Sequence, residues 1–305
     1  MNRAPRPQLL VTALLLTQFC FGLNYIVSKV VVETLPPFLW AGLRCAVSCV
    51  LLASFALALK RRHPRGRDFF VKAFWFSFLA ISFNQGCFLL GLHYTSSTNS
   101  AILNTLIPVF TLIVVVFRRQ ETVTGQKLLS FALALAGVLV LVRADRFELG
   151  HGMGWGDFLT LLNSFSYALY LGTSKDFLCR YDRVWITVWL FAFGTVTLNI
   201  AAIPDWLHFQ WPPISAALWA CMIFVVVVGT FVTYLLTNWV LAYVEASKVA
   251  LYVYIQPVVA AWIAWCWRGE VITFRTLLGS CLIFFGVFFV GKRAVAGAAP
   301  PLPAS

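Results

Sequence analysis

Polar side chains interrupt the apolar runs of this chain at helical spacing, and their types set the chemistry open to them. Thr230, Tyr234 and Asn238 recur every four residues, as do Lys248, Tyr252 and Gln256 just ahead of Pro257. Asn163, Tyr167, Tyr170 and Ser174 share a stripe, while Asn84, Gln85, Asn104, Thr105, Thr17, Asn24 and Ser28 add further amides and hydroxyls. Residues four apart lie on one helix face. Amides and phenols offer several donors and acceptors without reacting, so they suit reversible binding of a polar solute. The binding candidates are Asn24, Asn84, Gln85, Asn104, Tyr167, Tyr234, Asn238, Tyr252 and Gln256. Hydrogen bonding from helix to helix competes with this reading, above all for Ser and Thr, which can bond their own backbone. For Tyr234 and Tyr252 a packed ring and a cavity wall look alike.

Catalytic constellations are missing. No Gly-x-Ser-x-Gly stretch occurs, no two acids face each other, and His63, His93, His151 and His208 are scattered singly through connectors. A membrane-embedded enzyme is therefore disfavoured, and neither a cofactor nor a metal site is expected. No Asp or Glu falls near the centre of an apolar run, so facilitated efflux or exchange fits better than proton coupling through a buried carboxylate. All cysteines but Cys179 lie inside apolar runs, without the close pairing of a zinc or redox motif.

The elements that must position these groups follow from composition. Of 305 residues, 61% are hydrophobic and 11% charged, and the mean hydropathy is +0.85. A soluble domain carries about a quarter charged residues. Apolar runs of about 20 residues match the hydrocarbon core of a bilayer. The fold expected is all-α and polytopic, with ten transmembrane helices near 8–28, 38–59, 69–91, 99–117, 127–143, 156–174, 184–203, 214–237, 247–267 and 275–292. The run from Leu9 to Leu23 lacks a cleavage site and is read as a retained first helix. The net charge of +12 sits in connectors such as Lys60-Arg61-Arg62, which fits cationic loops on the cytoplasmic side, with both termini there, rather than nucleic-acid binding.

The chain also repeats itself. An offset of 149 superposes Tyr94 on Tyr243, Ala101 on Ala250, Pro108 on Pro257, Glu121 on Glu270 and Gly137-Val138 on Gly286-Val287, and an offset of 146 superposes Phe21…Lys29 on Tyr167…Lys175. Five helices per repeat is odd, so the halves must enter the membrane oppositely, with a binding site where they meet. Residues 1–145 and 152–293 are the expected repeats, and 294–305 a disordered tail. Pro108 and Pro257 are expected hinges. Glu121 and Glu270, at matching helix ends near Arg119 and Arg268, are expected to anchor the interface and to pair locally. Lys248 is a candidate gate. Arg44 is expected to snorkel to the outer interface, to pair with Glu33, or to gate the outer vestibule.

The pattern Tyr94…Ala101…Pro108…Glu121…Gly137-Val138 and its second copy resemble the EamA-type family of the drug/metabolite transporter superfamily. So do Phe21-Gly22-Leu23-Asn24, Lys29 and Arg44. The resemblance implies ten helices in two inverted halves and export of small metabolites across the bacterial inner membrane: amino acids or their derivatives, opine-type metal chelators among them, or else drugs or nucleosides. Import of similar solutes and a sensor role are weaker alternatives. The implied partners are the lipid bilayer and a small-molecule substrate, with no nucleic acid; a homodimer is left open.

Overall fold

The computed structural model describes residues 5–95, 97–141, 154–268 and 274–294. Glu270 and residues 295–305 of the expected tail lie outside them. Every regular element among the described residues is helical.

α1 (Pro7–Thr34) and α2 (Pro37–Ala58) are separated by Leu35-Pro36, because a residue before proline is driven to extended backbone. Leu35 has φ −112° and ψ 142°. α3 (Arg67–Ser77) passes through a π-helical turn, Phe78–Ser82, into α4 (Phe83–Tyr94). α5 (Ser97–Asn104) and α6 (Ile107–Phe117) replace one expected span, with a break at Thr105-Leu106. α7 (Gly125–Leu141), α8 (Trp155–Thr173), α9 (Lys175–Arg180) and α10 (Arg183–Ala201) come next. Asp182 caps α10, accepting from the Val184 and Trp185 amides at 3.0 and 3.2 Å. After the short α11 (Ile203–His208), α12 (Ala216–Val226) runs through a second π-helical segment, Val227–Val232, into α13 (Thr233–Leu241). α14 (Ala246–Leu251), a 3₁₀ segment (Tyr252–Ile255) and α15 (Gln256–Arg268) form another interrupted helix before α16 (Phe274–Ala294).

Six of these helical stretches are long and apolar enough to cross a membrane, among them Arg67–Tyr94, Ser100–Phe117 and Ala216–Leu241, and shorter apolar helices accompany them. Large apolar side chains such as Val50, Leu57, Phe117, Ile200 and Phe285 are exposed. Such a surface requires lipid, not water. This is a polytopic, all-helical membrane protein. The long expected spans differ from the observed elements mainly in being interrupted, and the interruptions are paired: Phe78–Ser82 and Val227–Val232 begin 149 positions apart. Pro108 and Pro257 are each the second residue of a restarted helix, after the Thr105-Leu106 break and the 3₁₀ segment respectively. A proline there removes a donor that the break leaves unused.

The packing is paired as well. α16 packs most extensively on α7, α2 on α10 and α4 on α8, while α1 lies against α12 and α13. A Cβ on Gly137 would meet the Gly279 carbonyl oxygen at 2.7 Å and the Ile283 amide at 2.8 Å; one on Gly286 would meet the Ser130 carbonyl and the Ala134 amide at the same two distances. These four partners are themselves repeat mates. Because Gly137 lies over 279–283 and Gly286 over 130–134, α7 and α16 run antiparallel across a local two-fold axis. Small residues permit this close backbone approach in a bilayer. Gly137→Ala or Gly286→Ala is expected to destabilise the bundle by about 1–3 kcal/mol, the usual cost of overpacking. Gly125→Ala, with nothing within 4 Å of its Cβ, is expected to leave the unfolding midpoint in detergent unchanged.

Candidate functional site: a polar cavity inside the bundle

A cavity of about 660 Å³, counted with its opening, lies among α1, α2, α4, α8, α13 and the interrupted helices α5–α6 and α14–α15. The elements just described explain its polarity. Each π-helical turn carries one residue more than an α turn and re-aims the side chains beyond it. Asn84 and Gln85 lie just past the first, and Thr233 and Tyr234 just past the second.

Two hydrogen-bond networks line the space. In the first, Arg44 Nη2 donates to Gln85 Oε1, and Gln85 Nε2 donates to the Tyr234 hydroxyl and, at 3.0 Å, to Asn84 Oδ1. Asn84 Nδ2 donates to Asn163 Oδ1 at 2.5 Å, and Asn163 Nδ2 to Asn104 Oδ1 at 2.7 Å. Asn104 Nδ2 closes the chain on the Ser100 carbonyl at 2.9 Å, within the helix that breaks at Thr105. In the second, the Tyr25 hydroxyl donates to Gln256 Oε1 at 3.0 Å, and Gln256 Nε2 donates to Gln18 Oε1 at 2.6 Å. Gln85 and Tyr234 are 149 positions apart, so equivalent residues of the two halves touch in the wall of the site.

Most of the expected residues converge here: Asn24, Asn84, Gln85, Asn104, Tyr167, Tyr234 and Gln256 all line the cavity. Asn238 does not. It accepts from the Tyr170 hydroxyl at 2.5 Å and donates to Thr187 Oγ1 at 2.9 Å, tying α13 to α8 and α10. Tyr252 is buried in the 3₁₀ segment outside the lining. Arg44 needs correction: it is 2% exposed and faces the cavity rather than the interface, and Glu33 pairs with Lys29 instead, at 3.9 Å. Arg44 is the one charged residue among those described in the lining, which holds no carboxylate.

A charged cluster sits where α7 and α14 begin. Lys127 Nζ contacts Glu121 Oε2 at 2.5 Å and Glu245 Oε2 at 3.1 Å, and Lys248 Nζ reaches Glu245 at 3.3 Å. Ser247 donates to Glu121 through its hydroxyl, and through its amide at 3.2 Å. Glu121 therefore does not pair with Arg119 but bridges the chain's two halves, and Lys248 belongs to the same clasp. Burial would raise the Glu245 carboxyl, but Lys127 and Lys248 outweigh it and hold it below the usual carboxylate value. A depressed acid stabilises above its unfolded pKa and loses that contribution as pH falls through its folded value. The unfolding midpoint in detergent is thus expected to drop through and below the ordinary glutamate range, and Glu245→Gln to flatten that drop.

Repeat symmetry also appears at Lys29 and Lys175. Lys29 Nζ donates to the Leu92 and Thr95 carbonyls at 2.7 and 2.9 Å, and Lys175 Nζ to the Val244 carbonyl at 3.1 Å. Thr95 and Val244 are themselves 149 apart, and through Leu92, in the last turn of α4, Lys29 also meets the negative end of a helix.

The profile of the EamA-like transporter family matches residues 8–143 and 154–292, one copy for each half. The chain belongs to the EamA-like transporter family. It is 22% identical over 275 residues to the uncharacterized transporter YoaV of Bacillus subtilis (strain 168), covering 88% of this chain and 91% of that one. An uncharacterized transporter of Archaeoglobus fulgidus is 26% identical over 280 residues, covering 92% and 98%. The WAT1-related protein At3g18200 of Arabidopsis thaliana is 22% identical, covering 92% and 81%. A solved crystal structure shares the fold with a TM-score of 0.75 at 14% identity, covering 95% of this chain and 98% of that one. This EamA-like protein is accordingly a multi-pass membrane transporter that acts in a bilayer on a small-molecule substrate.

Sequence reasoning missed Gln18 and Tyr25 as lining residues. They lie seven apart, two turns along one face of α1, beside the Asn24 stripe. The signal was Phe21, which shares their face and aligns with Tyr167 at the offset of 146.

Proposed function

We propose that this transporter exports a small polar metabolite, an amino acid or an amino-acid-derived compound of the opine type included, across the inner membrane by alternating access. Its halves, residues 1–145 and 152–293, are inverted five-helix repeats in a ten-helix bundle with both tails in the cytoplasm. The observation that carries the reading is the amide- and tyrosine-lined cavity in whose wall the repeat mates Gln85 and Tyr234 touch. The antiparallel α7–α16 pair and the paired π-helical turns support inversion, because a two-fold axis crossing antiparallel equivalents lies in the membrane plane.

Asn24, Asn84, Gln85, Asn104, Tyr167, Tyr234 and Gln256 bind the solute, and the helix breaks before Pro108 and Pro257 flex as the halves rock. The Glu121–Lys127–Glu245–Lys248 cluster joins the two halves and closes the cytoplasmic face. Asn238 and Tyr252 support the site from behind. Discrete interfaces of this kind switch between packed arrangements rather than deform continuously.

The test is metabolite retention in a deletion strain, followed by counterflow of the retained compound in liposomes holding the purified protein. Accumulation of amino-acid-like compounds and their exchange in liposomes is the expected result. Retention of nucleosides or drugs alone would replace the substrate assignment, and loss of uptake would reverse the direction.

A further inference from the structure

We propose that the cargo carries a carboxylate and that Arg44 is its anchor. The inference rests on the transporter reading above and names the substrate class of the same cavity.

Three polar side chains stand one helical turn apart along the buried face of α2: Trp40, Arg44 and Ser48, with exposures of 2%, 2% and 0%. In each, a polar atom is buried without a hydrogen-bond partner: Trp40 Nε1, Arg44 Nε and Ser48 Oγ. The first two can only donate. Buried polar groups are nearly always satisfied; of these three residues Arg44 alone lines the cavity, so its Nε marks an acceptor missing there.

Arg44 shows what that acceptor must be. Its guanidinium lines the cavity, donates to Gln85 through Nη2, and makes no ion pair with any described residue. A charge taken out of water is costly unless a counter-charge meets it. The nearest acid in sequence, Glu33, is bound to Lys29, and the cavity lining contributes no carboxylate. The counter-charge must then arrive with the solute. A guanidinium presents a planar fork of donors that matches a carboxylate edge-on, and its partner Gln85 holds it toward the centre of the site.

The test does not require the cargo to be identified first. Leucine, glutamine and phenylalanine are each offered as free acid, primary amide, decarboxylated amine and N-acetyl acid. Thermal stabilisation of the full-length, vesicle-inserted protein is then read for every compound. Members with a carboxylate are expected to act about 10- to 100-fold more strongly than the amide and amine, the value of a charge-assisted hydrogen-bonded pair. Arg44→Gln is expected to erase that difference, and Arg44→Lys to keep part of it, with both variants checked for a monodisperse peak in detergent. The comparison within the unaltered protein stands even if a variant does not fold. Amides and amines acting as well as acids, or an acid preference that survives Arg44→Gln, would overturn the anchor while leaving transport intact. No effect of any compound on a folded, vesicle-inserted protein would overturn both readings.

Discussion

Gln85→Leu is expected to lower transport at least about 100-fold while the protein still inserts and purifies. Gln85 is the shared partner of the first network: it accepts from Arg44 and donates to Asn84 and Tyr234. Leucine has similar bulk, so packing survives, but three groups lose a partner at once. Stranding a buried polar group costs about 1–3 kcal/mol and more when it is charged. Two such losses at the solute account for the expected factor, since about 1.4 kcal/mol is tenfold. Gln85→Glu separates geometry from charge: it keeps the acceptor for Arg44 but places a fixed carboxylate there. It is expected to stabilise the empty protein against heat and to abolish transport, because the guanidinium is already neutralised. Counterflow in liposomes, normalised to inserted protein, checks both variants.

The second large effect is expected at the clasp. Lys127 and Glu121 have side-chain exposures of 6% and 7%, so their pair is buried. Breaking a buried pair from one side costs about 3–5 kcal/mol, because the other charge is left uncompensated. Lys127→Met is therefore expected to lower stability by that amount, whereas Glu121→Gln with Lys127→Met is expected to cost less than Lys127→Met alone. Unfolding in detergent for both singles and the double gives the coupling energy directly. Arg119 does not substitute for Lys127, since Glu121 makes its contacts with Lys127 and Ser247.

The membrane-spanning character of the chain was legible because hydropathy is a sum over many residues and tolerates local error. The repeat was legible for a different reason: proline, glutamate and glycine in register at Pro108/Pro257 and Gly137/Gly286 are not produced by apolar composition alone. The breaks were not legible in detail. A proline signals that a helix can be interrupted, yet whether the chain restarts after two residues, as at Thr105-Leu106, or through a 3₁₀ turn, as at Tyr252–Ile255, depends on tertiary contacts. The π-helical turns left no local signature at all, and they decide which residues face the cavity beyond them. That is why a stripe drawn at α-helical spacing joined Thr230 to Tyr234, when Thr230 lies within the π-helical turn and bonds the Val225 carbonyl at 2.7 Å; Asn238, one turn past Tyr234 on α13, is claimed instead by α8 and α10. Arg44 was misplaced because an arginine several residues into an apolar run normally reaches for the interface, and sequence gives no view of the Gln85 waiting for it.

The central claim is that one cavity opens to the two sides of the membrane in turn. Thr237 lines that cavity and is 5% exposed. Thr237→Cys, introduced with the eight native cysteines replaced by alanine or serine, gives a single thiol to probe in sealed vesicles of known orientation. A membrane-impermeant thiol reagent is expected to modify it from either side, with added cargo raising the rate from one side as it lowers the rate from the other. Modification from one side only under every condition, or from both sides with no reciprocity, would contradict the account.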